Sequence, residues 1–225
     1  YRDLNIFHIY NYPSLKLKPT GKYSLRKKLN ISNKNKIFLY QGVLHKGRGI
    51  KTMIKLLAEF ENSHAVIIGD GYYKNELQNY VKKINLRDRV HFFGKVPYLD
   101  LLELTSEADL GFSLIRPISK SYKQALPNKL FEYAIAGIPI IASNLPEMEK
   151  VINKYQLGYT VAHDKINTQK YLVKKILTEN KREIIQKQAT KHLIWENQKN
   201  KFLTTLEPHG WSKYYSTDKE QACPA

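Results

Sequence analysis

Cysteine is almost missing: the 225 residues hold one, Cys223. A lone thiol excludes an intrachain disulfide framework and fits a reducing compartment. No Cys and His cluster has zinc-ligand spacing. No run of eighteen or more apolar residues occurs, which speaks against a membrane-spanning helix, and the first residues form no secretory h-region. No internal repeat or low-complexity domain is present. Acidic residues are scarce, 20 against 37 Lys and Arg, giving a formal charge of +17. The basic residues are scattered rather than gathered in one run, so most belong to solvated faces. An anionic membrane surface is the next reading, and no nucleic-acid partner is expected.

What is present is enough for a sizeable core: 42% of the residues are hydrophobic. Compact apolar runs recur at Ile37–Tyr40, Ala65–Ile68, Val90–Phe93, Leu110–Ile115, Ile140–Ala142 and Gly158–Val161, each reading as a short buried strand. Helical spacing separates them. Ile50, Ile54, Leu57 and Phe60 make one stripe, Leu77, Val81 and Ile84 another, and Leu101, Leu104 and Ala108 a third. Ser24–Leu29 reads as a short helix, and 30–36 as a polar loop. From Thr168 two helical stretches are expected to about Leu206. This alternation predicts an α/β fold, a parallel sheet with helices on both faces. In such sheets ligands bind beyond the carboxyl ends of the strands. Gly42–Arg48, Gly69–Gly71, Gly94–Pro97 and Arg116–Glu132 all follow strands at that edge, so four loops are expected to share one site. Glycines there let backbone N–H groups approach phosphate. Arg116–Ala125 reads as a loop.

The richest stretch runs from Gln124 to Glu147. Pro127 suits the first position of a helix. Leu130, Phe131, Ala134 and Ile135 follow at helical spacing, and Gly137 fits just past the helix end. Ser143 or Asn144 is expected to cap the next helix. A helix start attracts anions, whereas Lys129 in the first turn is slightly unfavourable for an isolated helix. An anion bound there resolves that conflict.

Pro127-Asn-Lys-Leu-Phe-Glu-Tyr-x-x-x-Gly-x-Pro-Ile-Ile-Ala-Ser-x-Leu-Pro-Glu147 resembles the donor-site signature of the group 1 retaining glycosyltransferases of GT-B fold. The resemblance extends over roughly Asn5 to Leu206, and the stretch around Glu132 is its specific part. It implies the C-terminal, Rossmann-like half of a GT-B enzyme, in which this helix holds a nucleotide-sugar. Glu132 matches the glutamate that binds the nucleotide ribose. The family's other glutamate falls at Gln124, which cannot supply a negative charge. The family's frequent Arg after the first glycine is Val43 here, so Lys46 or Arg48 is expected to meet the diphosphate, Arg48 being favoured by its place before Gly49. The resemblance assigns Lys129, Arg48 and Gln124 to the reacting groups. Gly42, Lys46, Gly71, Val96, Leu126, Asn128 and Glu132 are assigned to donor binding. No Asp-x-Asp pair occurs. No metal or separate cofactor is expected, with positive side chains replacing the metal.

The resemblance also implies a layout. Residues 1–20 form an interdomain strand and linker, with Asn5–Tyr10 as the strand. Residues 21–180 form the donor-binding domain, 181–206 a C-terminal helix containing Trp195, Phe202 and Leu203, and 207–225 a flexible tail. Residue 1 is Tyr, so a preceding acceptor domain is expected, and this chain by itself is expected to bind donor with slow turnover or none. The implied activity is transfer of a hexose-type sugar to a saccharide or lipid-linked acceptor, in cell-surface polysaccharide synthesis. A cytoplasmic place is expected, with peripheral contact at the inner face of an anionic membrane. A nucleotide-sugar epimerase of similar architecture and a non-catalytic nucleotide-sugar-binding module are the alternatives.

Overall fold

The computed structural model describes residues 8–16 and 21–206. Six strands, β1 (Lys36–Gln41), β2 (Ser63–Ile68), β3 (Val90–Gly94), β4 (Leu110–Ser113), β5 (Ile140–Ser143) and β6 (Gly158–Val161), form one sheet in the order β3-β2-β1-β4-β5-β6. Every neighbouring pair is parallel. Parallel neighbours need crossovers, which helices supply. In chain order these are α1 (Leu25–Leu29), α2 (Ile50–Leu57), α3 (Lys74–Lys83), α4 (Tyr98–Ser106), α5 (Lys120–Lys123), α6 (Lys129–Ile135), α7 (Pro146–Tyr155), α8 (Ile166–Thr178), α9 (Arg182–His192) and α10 (Trp195–Leu206). Two buried clusters sandwich the sheet: one draws on α2, α3 and α8, the other on α1, α4, α6, α7 and α9. Strand side chains alternate between them, Ile37 and Leu39 to one side, Phe38 and Tyr40 to the other. A strand buried on both faces reads as an unbroken apolar run.

The chain winds outward from β1 through β2 to β3, returns to β4 beside β1, and winds outward again through β5 and β6. Where β1 and β4 part, Tyr133 of α6 fills the gap. Its hydroxyl accepts from the Gln41 backbone N–H at 3.1 Å and lies 3.3 and 3.4 Å from the Leu39 and Phe112 carbonyls. Gly111 makes room: a Cβ there would stand 2.5 Å from the Tyr133 ring. The ring thereby fixes α6 over the point where the two halves of the sheet divide.

Several local expectations are corrected. Asn5–Ile6–Phe7 lie outside the described residues, and His8–Tyr10 are not a strand. The Tyr10 backbone instead exchanges hydrogen bonds with the Gln198 side-chain amide, both at 2.7 Å, while Tyr12 packs edge-on against Phe131. Pro127 precedes α6, whose cap is Asn128. Leu145 stands at the start of α7 without a side-chain cap, and Pro146 takes the first helical position. The 116–125 segment contains α5, because Ser119 accepts a hydrogen bond from the Tyr122 N–H. Among the described residues three helices, not two, follow β6. The expected 181–206 helix is α9 and α10, and α9 buries Ile185 and Ala189 completely in the core. Trp195, Phe202 and Leu203 are half-buried. The tail expected at 207–225 lies outside the described residues. No helix among them is long and apolar enough to cross a membrane.

Candidate functional site

A cleft of about 560 Å³ opens at the carboxyl edge of β1, β2 and β3. Gln41, Gly42 and Arg48 line it from the end of β1 and the loop after it, Ile68 and Gly69 from the end of β2, and Lys95 and Val96 from the loop after β3. Leu101 of α4 and Pro127, Asn128, Lys129 and Glu132 around the start of α6 complete it. The loops interlock through their backbones. The Gly42 N–H donates to the Ile68 carbonyl at 2.9 Å, and the Gly69 N–H to the Gly94 carbonyl at 2.8 Å. Gly69 has φ +128°, and a Cβ on it would stand 2.1 Å from the Gly42 carbonyl oxygen. Such an approach is open to glycine alone.

Lys129 is the chemical centre of this cleft. It is 7% exposed, and its Nζ lies 3.6 Å from the centroid of the Tyr40 ring. Among the described residues no carboxylate lies within ion-pair distance of it. A desolvated cation–π contact gives back about 2 kcal/mol, less than the several kcal/mol that desolvating an ammonium costs. Burial, with a smaller push from Arg48 and against the pull of Glu132, therefore lowers the Lys129 pKa to about 7. The result is an amine whose charge is poorly compensated until an anion arrives.

Glu132 stands one turn along the same face of α6. Its carboxylate Oε2 accepts a hydrogen bond from the Gln41 side-chain amide, and Gln41 Oε1 lies 2.8 Å from the Thr105 hydroxyl. Burial raises the Glu132 pKa, opposed by the Gln41 hydrogen bond and by Lys129. The burial comes from a mainly apolar recess, lined by Tyr98, Leu99, Leu101 and Leu102, that shares Leu101 and Glu132 with the cleft. The first turn of α6 is less open to anions than a helix start in isolation. The Leu130 and Phe131 N–H groups are taken by the Pro127 and Asn128 carbonyls, so the attraction falls to Lys129, Arg48 and Lys95.

Six expected residues meet here: Gly42, Arg48, Val96, Asn128, Lys129 and Glu132. Four others stand outside the lining. Lys46 points to Glu76, 3.4 Å away, on the outer surface. Gly71 packs its backbone on Leu44, where a Cβ would come within 2.5 Å of the carbonyl oxygen. Leu126 packs on the hydrophobic core beside α6, and Gln124 is exposed at the end of α5. Val43 is 57% exposed. The Lys129 ammonium sits against Gly42 instead, 3.7 Å from where a Cβ on that glycine would be. Lys95, Gln41 and Thr105 were not expected. A basic residue directly after β3 was a signal for Lys95. A polar residue ending an apolar strand was one for Gln41. Thr105, inside a short helix, gave none.

The sequence profile of the family described as "Glycosyl transferases group 1" matches residues 22–192. The chain belongs to that family. This group 1 chain is 30% identical, over 157 residues, to spore coat protein SA of Bacillus subtilis strain 168, a match covering 65% of this chain and 40% of that protein. Among solved structures it is similar to sucrose-phosphate synthase from Thermosynechococcus elongatus, with a TM-score of 0.72, 21% identity, 88% of this chain and 52% of that one. It is also similar to Anabaena HepE, solved in complex with UDP-glucose, with a TM-score of 0.70, 20% identity, 89% of this chain and 57% of that one. The group 1 chain thus has the fold of these GT-B glycosyltransferases and spans about half the length of the proteins it matches.

Proposed function

We propose that the cleft holds a nucleoside-diphosphate sugar, and that the protein to which this chain belongs transfers the sugar to a saccharide or lipid-linked acceptor. The observation that carries this reading is the meeting of Lys129, Arg48 and Glu132 on one rim, two cations beside one half-buried carboxylate. Lys129 and Arg48 take the diphosphate and stabilise the charge that grows on it as the sugar leaves, which is the largest single contribution such a site makes. They act in place of a metal. Glu132 accepts the ribose hydroxyls. The base lies against the backbone around Val96 and the recess beside Tyr98. HepE's complex with UDP-glucose supports a donor of this class.

The acceptor's binding site and activating groups come from a preceding domain, and the product belongs to cell-surface polysaccharide. The working place is the cytoplasmic face of an anionic membrane, toward which the +17 charge draws the chain. A non-catalytic binding module is the second reading, favoured by the exposed position of Gln124.

Calorimetric titration of the 225-residue chain with UDP, GDP and their hexose derivatives tests the proposal. Saturable binding of one nucleoside diphosphate, lost in Lys129→Ala, supports it. Heat from none of them, with steep salt-dependent affinity for oligonucleotides instead, overturns it.

A further inference from the structure

Gln41 ends β1, is 1% exposed, and has its backbone N–H fixed by the Tyr133 hydroxyl. Its side-chain amide is held at both ends, by the Glu132 carboxylate and by Thr105 Oγ1. An ionised carboxylate only accepts hydrogen bonds, so the amide must face it with the NH₂ end. Oε1 then faces Thr105, and the single hydroxyl proton goes to it. That hydroxyl has a second acceptor, the Leu101 carbonyl at 2.6 Å. A protonated Glu132 would reverse the row: the amide turns its oxygen to the carboxyl, and the Thr105 proton turns to Leu101. Each arrangement satisfies every group, so the orientation of one buried amide is tied to the charge on Glu132.

We infer that Gln41 is a positioning residue for Glu132, and that the row Thr105–Gln41–Glu132 keeps this carboxylate ionised and oriented for ribose hydroxyls. The inference deepens the nucleotide-sugar reading and rests on it. Without an amide at position 41, Glu132 would have the apolar recess on one side and no donor on the other, which favours its neutral form. The other groups facing the carboxylate are Lys129 and Tyr133 from its own helix and Tyr98 from α4. Arg48 and Lys95 line the same cleft. Lys129 is a weak guarantor of the charge, since its own proton is held loosely.

The test follows the Glu132 carboxyl by NMR titration, assigned with Glu132→Gln, in the full chain and in Gln41→Met, Thr105→Val and Thr105→Ser. Gln41→Met keeps the length and removes both hydrogen bonds. Its Glu132 midpoint is expected to rise by about one pH unit or more, and its UDP affinity at pH 7 to fall about tenfold, the loss growing as pH falls. Thr105→Val acts from outside the cleft, is expected to shift the midpoint the same way by less, and decides the matter if Gln41→Met does not fold. Thr105→Ser restores the hydroxyl and the wild-type midpoint. An unmoved midpoint in both Gln41→Met and Thr105→Val overturns the inference. Shifted midpoints in a chain that binds no UDP support the row and overturn the nucleotide reading instead.

Discussion

Lys129 Nζ rests 3.6 Å from the centre of the Tyr40 ring, and that ring is itself fixed by the bond from its hydroxyl to the Val43 carbonyl at 2.8 Å. The ammonium is thereby held over the first turn of the cleft by a strand residue rather than by an acid. A carboxylate partner would neutralise it before any ligand came; an aromatic face leaves its charge available.

This arrangement makes Lys129 a source of instability. The unfolded chain keeps the proton up to about pH 10.5, whereas the folded chain releases it near pH 7. Between those values the unfolded state binds more protons, so stability contributed through this group rises with pH across the window. Lys129→Met is expected to raise the midpoint of denaturation at pH 7, to narrow its advantage over wild type as pH approaches 10, and to abolish nucleotide binding. Urea titrations of both proteins at several pH values check it.

Glu132→Ala removes a charged acceptor from the cleft. Nucleotide affinity is expected to fall by ~1–3 kcal/mol, as for lost hydrogen bonds to a charged group. The 2′-deoxynucleotide should lose much less on this substitution than the ribonucleotide. Calorimetry with UDP and its 2′-deoxy form measures both.

Gly111→Ala places a methyl group where the Tyr133 ring stands. Overpacking of this kind costs ~1–3 kcal/mol, and here it also lifts α6 and with it Lys129 and Glu132. Tyr133→Phe keeps the ring but leaves the buried Gln41 N–H without its acceptor, at a cost of ~1–3 kcal/mol. Denaturant unfolding is expected to show both losses. Only Gly111→Ala should also weaken UDP strongly.

On the amino-terminal side of the sheet His64 and His91 face each other across β2 and β3, with Nδ1 and Nε2 3.0 Å apart and Asn35 on the far nitrogen of His64. Burial lowers the pKa of both; Arg89 and Arg26 add to this at His64, and His64 at His91, where Asp88 opposes it. Below about pH 6.5 the unfolded chain takes up protons that the folded pair resists, so stability falls as pH drops. His91→Gln is expected to flatten the decline between pH 6.5 and 5, followed by thermal melts.

The central strands were legible in the sequence because they are buried on both faces, so Ile37–Tyr40 or Ile140–Ala142 appears as a solid apolar block. The convergence of loops followed from the parallel order alone. Side-chain direction did not. Lys46 and Arg48 lie two residues apart on one loop; the place before Gly49 favoured Arg48, and the fold turns Arg48 inward, over the Tyr122 ring, and Lys46 out to Glu76. Gln41 and Thr105 are 64 positions apart and meet only through the packing of α4 against the sheet. Helix ends misled where backbone geometry, as at Leu145 and Pro146, replaced a capping side chain.

The most direct measurement maps the ligand onto the backbone. Amide NMR shifts on titrating the ¹⁵N-labelled chain with UDP are predicted to concentrate at Gly42, Gly69, Val96, Lys129 and Glu132, and to vanish in Lys129→Met. Saturable shifts gathered around α8 and α9 instead, with those five amides unmoved, would contradict the account.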